Sequence, residues 1–221
     1  MQQLMDAIAV VGSKYSEIVK IILFGSTARG DARENSDIDL AIFTKGENLR
    51  EQTQFTEDIL NLASLKKFDL VFVDNDTEPA LLDNIYKEGK VIMDKLGTKK
   101  ENFGLAIARL KEAIADFEAS GGNKTMRDGV IQRFEFTTEL AWKTTREYLL
   151  DQGYSGFNSP KATMREAFAD GLIEDEALWL QILNDRNATS HLYSDEAAAK
   201  ICERITMSYT DVFEKLYQKI A

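Results

Sequence analysis

The sequence predicts an α/β domain with a small mixed sheet, followed by an all-α helical bundle. Three observations carry that expectation. Apolar runs of strand length at 19–24, 37–43, 69–73 and 91–93 alternate with stretches of helical spacing. Beyond about residue 100 the strand signal stops and apolar residues recur at intervals of three and four. Between the two patterns, Asp94-Lys95-Leu96-Gly97-Thr98-Lys99-Lys100 has the polarity of a linker, which sets domains at 1–96 and 101–221.

An entry helix over 3–17 carries Leu4, Ile8, Val11 and Tyr15 on one side. The first strand, 19–24, leads to a short helix over 26–33, and the second, 37–43, leaves through the polar turn Thr44-Lys45-Gly46-Glu47-Asn48. A helix near 49–65 repeats Phe55, Ile59 and Leu62. After the third strand, Pro79 opens a helix, because a first turn does not miss the N–H that proline lacks. In the second half Phe103, Ile107, Leu110, Ile114 and Phe117 stripe one helix, which Ser120-Gly121-Gly122-Asn123 ends. A longer helix, 125–151, spreads Val130, Phe134, Leu140, Trp142 and Leu149 more widely, as suits packing on several sides. Further helices are expected near 160–170, 174–190 and 194–219.

The 221 residues carry a net charge of -10, and neither half is basic: Lys plus Arg against Asp plus Glu is 11 to 17 over 1–95 and 16 to 20 beyond. Long nucleic acids are held chiefly by neutralising phosphates, so a small nucleotide or a protein acceptor is expected before bulk DNA. The single cysteine, Cys202, lies in an apolar-periodic helix and reads as a core thiol. Met1-Gln2-Gln3-Leu4-Met5-Asp6 has no secretory pattern and no run approaches a membrane span, so a soluble, cytoplasmic protein is expected.

The chemistry concentrates after the first strand. Gly25-Ser26 makes a turn in which Gly25 permits close backbone approach, and free N–H groups of a short helix with the Ser26 hydroxyl can hold phosphate oxygens. Asp37 and Asp39, two apart on a strand, point the same way. Two carboxylates about 4 Å apart repel by roughly 4 kcal/mol at an effective dielectric of about 20. A divalent cation removes that cost, and an all-carboxylate donor set favours Mg2+ or Mn2+. Alone, a Gly-Ser pair is a turn and an Asp-x-Asp a solvated pair; in this order they read as a site for a metal-bound nucleoside triphosphate.

Gly25-Ser26 with Arg29-Gly30, then Ser36-Asp37-Ile38-Asp39-Leu40, resembles the DNA polymerase β-like nucleotidyltransferases in their minimal branch. The resemblance implies a third carboxylate on a neighbouring strand, and Asp69 stands where the family puts it. It further implies transfer of a nucleoside monophosphate to a hydroxyl, ATP being the expected donor. Asp37 and Asp39 would hold the metals, Asp69 would complete the acceptor side, Gly25 and Ser26 would cradle phosphates, and Arg29 would add positive charge.

The second half holds Arg186-Asn187-Ala188-Thr189-Ser190-His191-Leu192-Tyr193, with the only histidine. Asn187 and His191, four apart, share a helix face, while Arg186 lies about 140° round from His191. Such a pair near a helix end also commonly satisfies carbonyls or acidic neighbours. With Arg127-Asp128-Gly129 and Glu139-Leu140-Ala141-Trp142-Lys143, the R-x4-H-x-Y pattern resembles the HEPN family in its nucleotidyltransferase substrate-binding branch. That resemblance implies a dimer through the helical domain and a toxin-antitoxin-like pairing, here fused in one chain. It also makes Tyr193 the candidate acceptor for AMP. Its alternative implication is a metal-independent ribonuclease using Arg186 and His191, regulated by the first domain; RNA is a partner only on that reading.

Overall fold

The structure, a computed structural model, describes residues 1–33, 35–46, 48–62, 66–189 and 194–221. It divides into two compact units, Met1–Lys95 and Leu96–Ala221.

The first unit is built on strands β1 (Ile18–Phe24), β2 (Ile38–Thr44), β3 (Phe68–Val73) and β4 (Lys90–Asp94), in the order β3-β2-β1-β4. β1 runs antiparallel to β2 and β4, and β2 runs parallel to β3. The parallel pair needs a crossover, which α3 (Leu49–Leu60) supplies. On one face Ile21, Leu23, Ile38, Leu40 and Ile42 are buried with Ile8 and Val11 of α1 (Gln2–Lys14) and Phe55 and Ile59 of α3. On the other, Ile22 and Ala41 pack on Ile85 of α4 (Pro79–Glu88) in a much thinner core. That asymmetry matters because Asp39, two residues before Ala41, belongs to the thinly covered face.

The sequence expectation of a small mixed sheet followed by helices is met, and two local differences have physical causes. The polar stretch at 94–100, where the two units divide, is helical rather than coil: β4 ends at Asp94 and α5 (Lys95–Ala119) begins at the next residue. Polarity is not a helix breaker; Lys, Leu and Glu are good helix formers, and one Gly97 costs only about 1 kcal/mol. The short helix α2 spans Gly25–Arg29 rather than reaching 33, because Gly30 closes it at φ 88°.

The second unit continues with α6 (Lys124–Asp151), α7 (Pro160–Ala169), α8 (Glu176–Thr189), α9 (Asp195–Arg204) and α10 (Thr210–Ile220). Gly121 and Gly122 adopt positive φ in the turn after α5, and Asn123 caps α6 by accepting from the Thr125 and Met126 N–H groups. Phe134 stacks on Tyr209, and Phe103 and Trp179 meet Phe213 edge-on, so aromatic rings fill the core. The expected single helix over 194–219 is interrupted by a π-turn, Ile205–Tyr209. Among the described residues no helix is long and apolar enough to cross a membrane.

Candidate functional site

At the end of the sheet where β1 passes into α2, the backbone brings Gly25, Asp39 and Asp69 together. Phe24 pairs with Asp39 across β1 and β2, and Asp39 pairs with Asp69 across β2 and β3. Adjacent strands lie about 4.8 Å apart, so the two carboxylates leave one face as neighbours. Asp37 sits one residue ahead of β2 rather than within it; its carbonyl accepts from Thr27 Oγ1 at 3.2 Å, which ties the turn to α2. Burial, then the Asp69 charge and then the Asp37 charge, raise the Asp39 carboxyl above its ordinary range, against a smaller opposing pull from Arg29.

Gly25 is required twice. Its φ is 67°, which suits glycine, and a Cβ there would collide with Asp39 Oδ2. The backbone of the Gly25-Ser26 turn and the Asp39 carboxylate are therefore in close approach, and the first-turn N–H groups of α2 have no intrahelical partner.

Arg29 points elsewhere than the phosphate role alone would suggest. It bonds Glu88 at the end of α4 at 3.0 Å and Asp31 at 3.3 Å, and these contacts raise its already high pKa. Glu88, the last residue of α4, thus joins the surroundings of the site, and nothing in the sequence gave a sign of it.

Among the described residues no group of three His, Cys, Asp or Glu side chains forms a ready-made metal cage. The donor set still fits Mg2+, which keeps several waters and typically takes one or two carboxylates plus substrate phosphates. A half-buried Asp39 crowded by two further carboxylates is such a partial ligand set.

In the helical unit the Arg186 region is more closely built. Asp185, 9% exposed, accepts from Arg204 Nε at 2.7 Å and Nη2 at 2.8 Å and from the Tyr209 hydroxyl. The π-turn makes this possible: five residues along an α-helix, Arg204 and Tyr209 would point about 140° apart, whereas the wider turn brings both onto Asp185. Burial, and then the Asp185 contact, push the Tyr209 hydroxyl pKa up. The next residue, Arg186, lies 3.5 Å from Glu139 Oε2 and 3.5 Å from Asn187 Oδ1. Glu139 also receives Trp142 Nε1 at 3.0 Å and Lys143 at 2.9 Å. Glu139, Trp142, Arg186 and Asn187, with Thr138 and Lys161, line a cavity of about 260 Å³.

Arg186 and Asn187 are thus gathered at the C-terminal end of α8. His191 and Tyr193 lie outside the described residues. Sequence reasoning missed Asp185, Arg204 and Tyr209, whose convergence depends on the π-turn, and it missed Thr138 and Lys161, which only the helix packing brings together.

Comparison with known proteins gives two family matches that divide the chain. Residues 6–96 match the family described as "Polymerase beta, Nucleotidyltransferase", and residues 98–221 match "Nucleotidyltransferase substrate binding protein like". A Haemophilus influenzae protein named "Probable ribonuclease HepT" is 36% identical over 97 residues, which is 41% of this chain and 64% of that protein. The chain thus spans under two thirds of that relative's length. Three solved structures are similar to part of the chain. One is a Thermus thermophilus protein, 31% identical, covering 50% of this chain and 98% of that one with a TM-score of 0.44. Another is a Haemophilus influenzae protein described as the fold of a substrate binding domain of a nucleotidyltransferase: 26% identical, covering 55% and 98%, TM-score 0.47. The third is a tri-AMPylated Shewanella oneidensis HEPN toxin in complex with MNT antitoxin: 16% identical, covering 57% and 95%, TM-score 0.49. The chain belongs to the nucleotidyltransferase substrate binding protein like family, through a helical domain that follows a polymerase β-type nucleotidyltransferase domain.

Proposed function

We propose that the chain is a magnesium-dependent nucleotidyltransferase that moves a nucleoside monophosphate, AMP from ATP, onto a hydroxyl acceptor. The observation that carries the reading is the Asp39 carboxylate, raised by burial and by Asp69 and Asp37, in close approach to the Gly25-Ser26 turn. Acidic oxygens beside unpartnered N–H groups suit a ligand that offers a cation to one and phosphate oxygens to the other. Asp37 and Asp39 would hold Mg2+, with Asp69 completing the acceptor side. When bound, the ion supplies neutralisation of the triphosphate and of the departing pyrophosphate.

The remaining work falls to side chains and backbone. Gly25 and Ser26 hold the terminal phosphates, and Arg29, released from Glu88 and Asp31, adds charge to them. Asp69 takes the proton of the acceptor hydroxyl as its oxygen attacks the α-phosphorus in line; the bond to the β-phosphate oxygen breaks and pyrophosphate leaves. The helical domain presents the acceptor, with Tyr193 as the specific candidate. Incubation with labelled ATP and Mg2+ followed by peptide mass spectrometry tests this: AMP on Tyr193, absent in Asp37→Ala plus Asp39→Ala, is expected. Label on no acceptor, or label undiminished in the double variant, would count against it.

A second reading, a metal-independent ribonuclease in the helical domain, is favoured by one observation, the similarity to a protein named as a probable ribonuclease. It expects RNA cleavage that persists in EDTA and is lost in His191→Ala.

A further inference from the structure

Among the described residues two strands, β3 and β4, end the sheet, and they are finished differently. β4 carries Lys90 and Asp94 at its ends, Asp94 pairs with Lys20, and its pairing with β1 slips between Ile21 and Ile22. Charges and irregularities of this kind keep an edge strand from accepting another strand. β3 lacks these protections. Its sequence Phe68-Asp69-Leu70-Val71-Phe72-Val73 is apolar apart from Asp69, its register with β2 is unbroken, and none of its residues is fully buried.

The open side of β3 follows from the ladder. Ile38 N–H donates to Lys67 O at 2.8 Å, and in a parallel ladder alternate residues turn to the same neighbour. The backbone groups of Asp69, Val71 and Val73 therefore face β2, and those of Phe68, Leu70 and Phe72 face away from it. The outward groups meet no hydrogen-bond partner among the described residues. A row of alternating donors and acceptors at strand spacing is matched by one kind of occupant, an extended polypeptide backbone.

Asp69 decides what such a strand would bring. Its side chain is exposed and leaves the sheet on the face that holds Asp39. An added strand lies about 4.8 Å beyond β3, so its residue opposite Asp69 points the same way and stands beside that carboxylate. Asp37, Asp39 and Asp69 make the corner acidic, which suits a hydroxyl there and disfavours an acid. The same acidity disfavours a second copy of β3: paired antiparallel about Leu70, two copies would set their Asp69 residues diagonally, about 7–8 Å apart on one face.

We propose that the outer edge of β3 docks an extended segment of a protein acceptor as an added strand, with the hydroxyl-bearing residue opposite Asp69. The acceptor oxygen then bonds to the α-phosphorus, its proton passes to Asp69, and pyrophosphate leaves. That the docked segment is the acceptor rests on the transferase function proposed above; the docking itself does not, and the two are measured apart.

Hydrogen exchange of the full chain, resolved to single amides by NMR, tests the docking. The probe is a blocked peptide of alternating threonine and valine with a central tyrosine and a lysine at each end, long enough to span β3. With the peptide saturating, the Phe68, Leu70 and Phe72 amides should exchange at least about tenfold more slowly, while those of Asp69, Val71 and Val73, already bonded to β2, change little. The same protection is expected in Asp39→Asn. Two further peptides, N-methylated on one or the other set of alternate residues, should differ: the set facing β3 abolishes protection and the other keeps it. With Mg2+ and ATP, wild type should place AMP on the peptide tyrosine, and the same N-methylated set should abolish the transfer. Protection in a protein that labels no acceptor at all would sink the transferase reading and leave the docking edge standing. No protection, equal behaviour of the two N-methylated peptides, or label on another acceptor but not on the docked tyrosine would overturn the proposal. So would protection that rises with protein concentration in the absence of peptide, which would assign the edge to a second copy.

Discussion

Two aspartates, Asp39 and Asp185, are both withdrawn from water, and they are treated in opposite ways. Asp185 faces donors only: a bidentate guanidinium from Arg204 and the Tyr209 hydroxyl. Asp39 is crowded by Asp69 and Asp37, while Arg29, the cation near enough to oppose them, is held on Glu88 and Asp31. Burial disfavours the charged form of Asp39, and the neighbouring acids add to that; Asp185 is met by three hydrogen bonds instead. A carboxylate satisfied internally fixes an element, here the C-terminal end of α8 beside Arg186. A carboxylate left among its own kind is suited to binding a cation from outside.

The contrast is sharpest when each aspartate is removed. Asp185→Ala strands a partly buried guanidinium and a buried hydroxyl, and the cost is about 2–4 kcal/mol, held below the fully buried case because Arg204 is about a third exposed. Urea unfolding with a probe in the helical unit checks it, and Tyr209→Phe, losing one bond, should cost about 1–2 kcal/mol. A loss below about 0.5 kcal/mol in Asp185→Ala, the level of an exposed ion pair, would show that the network does not hold α8.

Gly25→Ala approaches the comparison from the backbone. The positive φ and the collision with Asp39 Oδ2 together should cost roughly 1–3 kcal/mol. Because the collision displaces Asp39, binding of Mg2+-ATP should weaken along with thermal stability. Gly30→Ala, also at positive φ but with open space around its Cβ position, separates the two effects: it should lose stability and keep binding.

The smallest effect has the opposite sign. The Asp39 carboxyl is raised above its ordinary value of 3.8, so the ionised form counts against folding. That penalty is absent below the ordinary value, grows as pH rises through the raised one, and is constant above it. Asp39→Asn should therefore stabilise the protein slightly at neutral pH, and the advantage should shrink toward pH 4. Thermal melts across that window decide; a destabilised Asp39→Asn variant would mean that the carboxylate is structural after all.

How much of this the sequence reveals depends on how local the signal is. The turn at Gly25-Ser26 and the two-residue spacing of Asp37 and Asp39 can be read because backbone alternation is local, and Asp69 follows from family resemblance. The sequence puts Asp37 on the strand, whereas β2 begins at Ile38; strand ends are set by pairing partners rather than by propensity. The stretch 94–100 reads as a linker because polarity marks exposure, and an exposed helix is polar too. The π-turn has no local signature: its purpose, bringing Arg204 and Tyr209 onto Asp185, exists only once α8 packs against the last helices. For the same reason Glu88 beside Arg29, and Thr138 and Lys161 beside Arg186, are invisible before the chain is folded.

The measurement that bears most directly on the central claim is the Mg2+ dependence of ATP affinity, followed by calorimetry in wild type and in Asp39→Asn. If the carboxylates at the sheet end await a cation, Mg2+ should tighten ATP binding at least about tenfold in wild type and hardly at all in the variant. Equal affinity with and without Mg2+, or an undiminished Mg2+ effect when Asp39 is neutral, would contradict it.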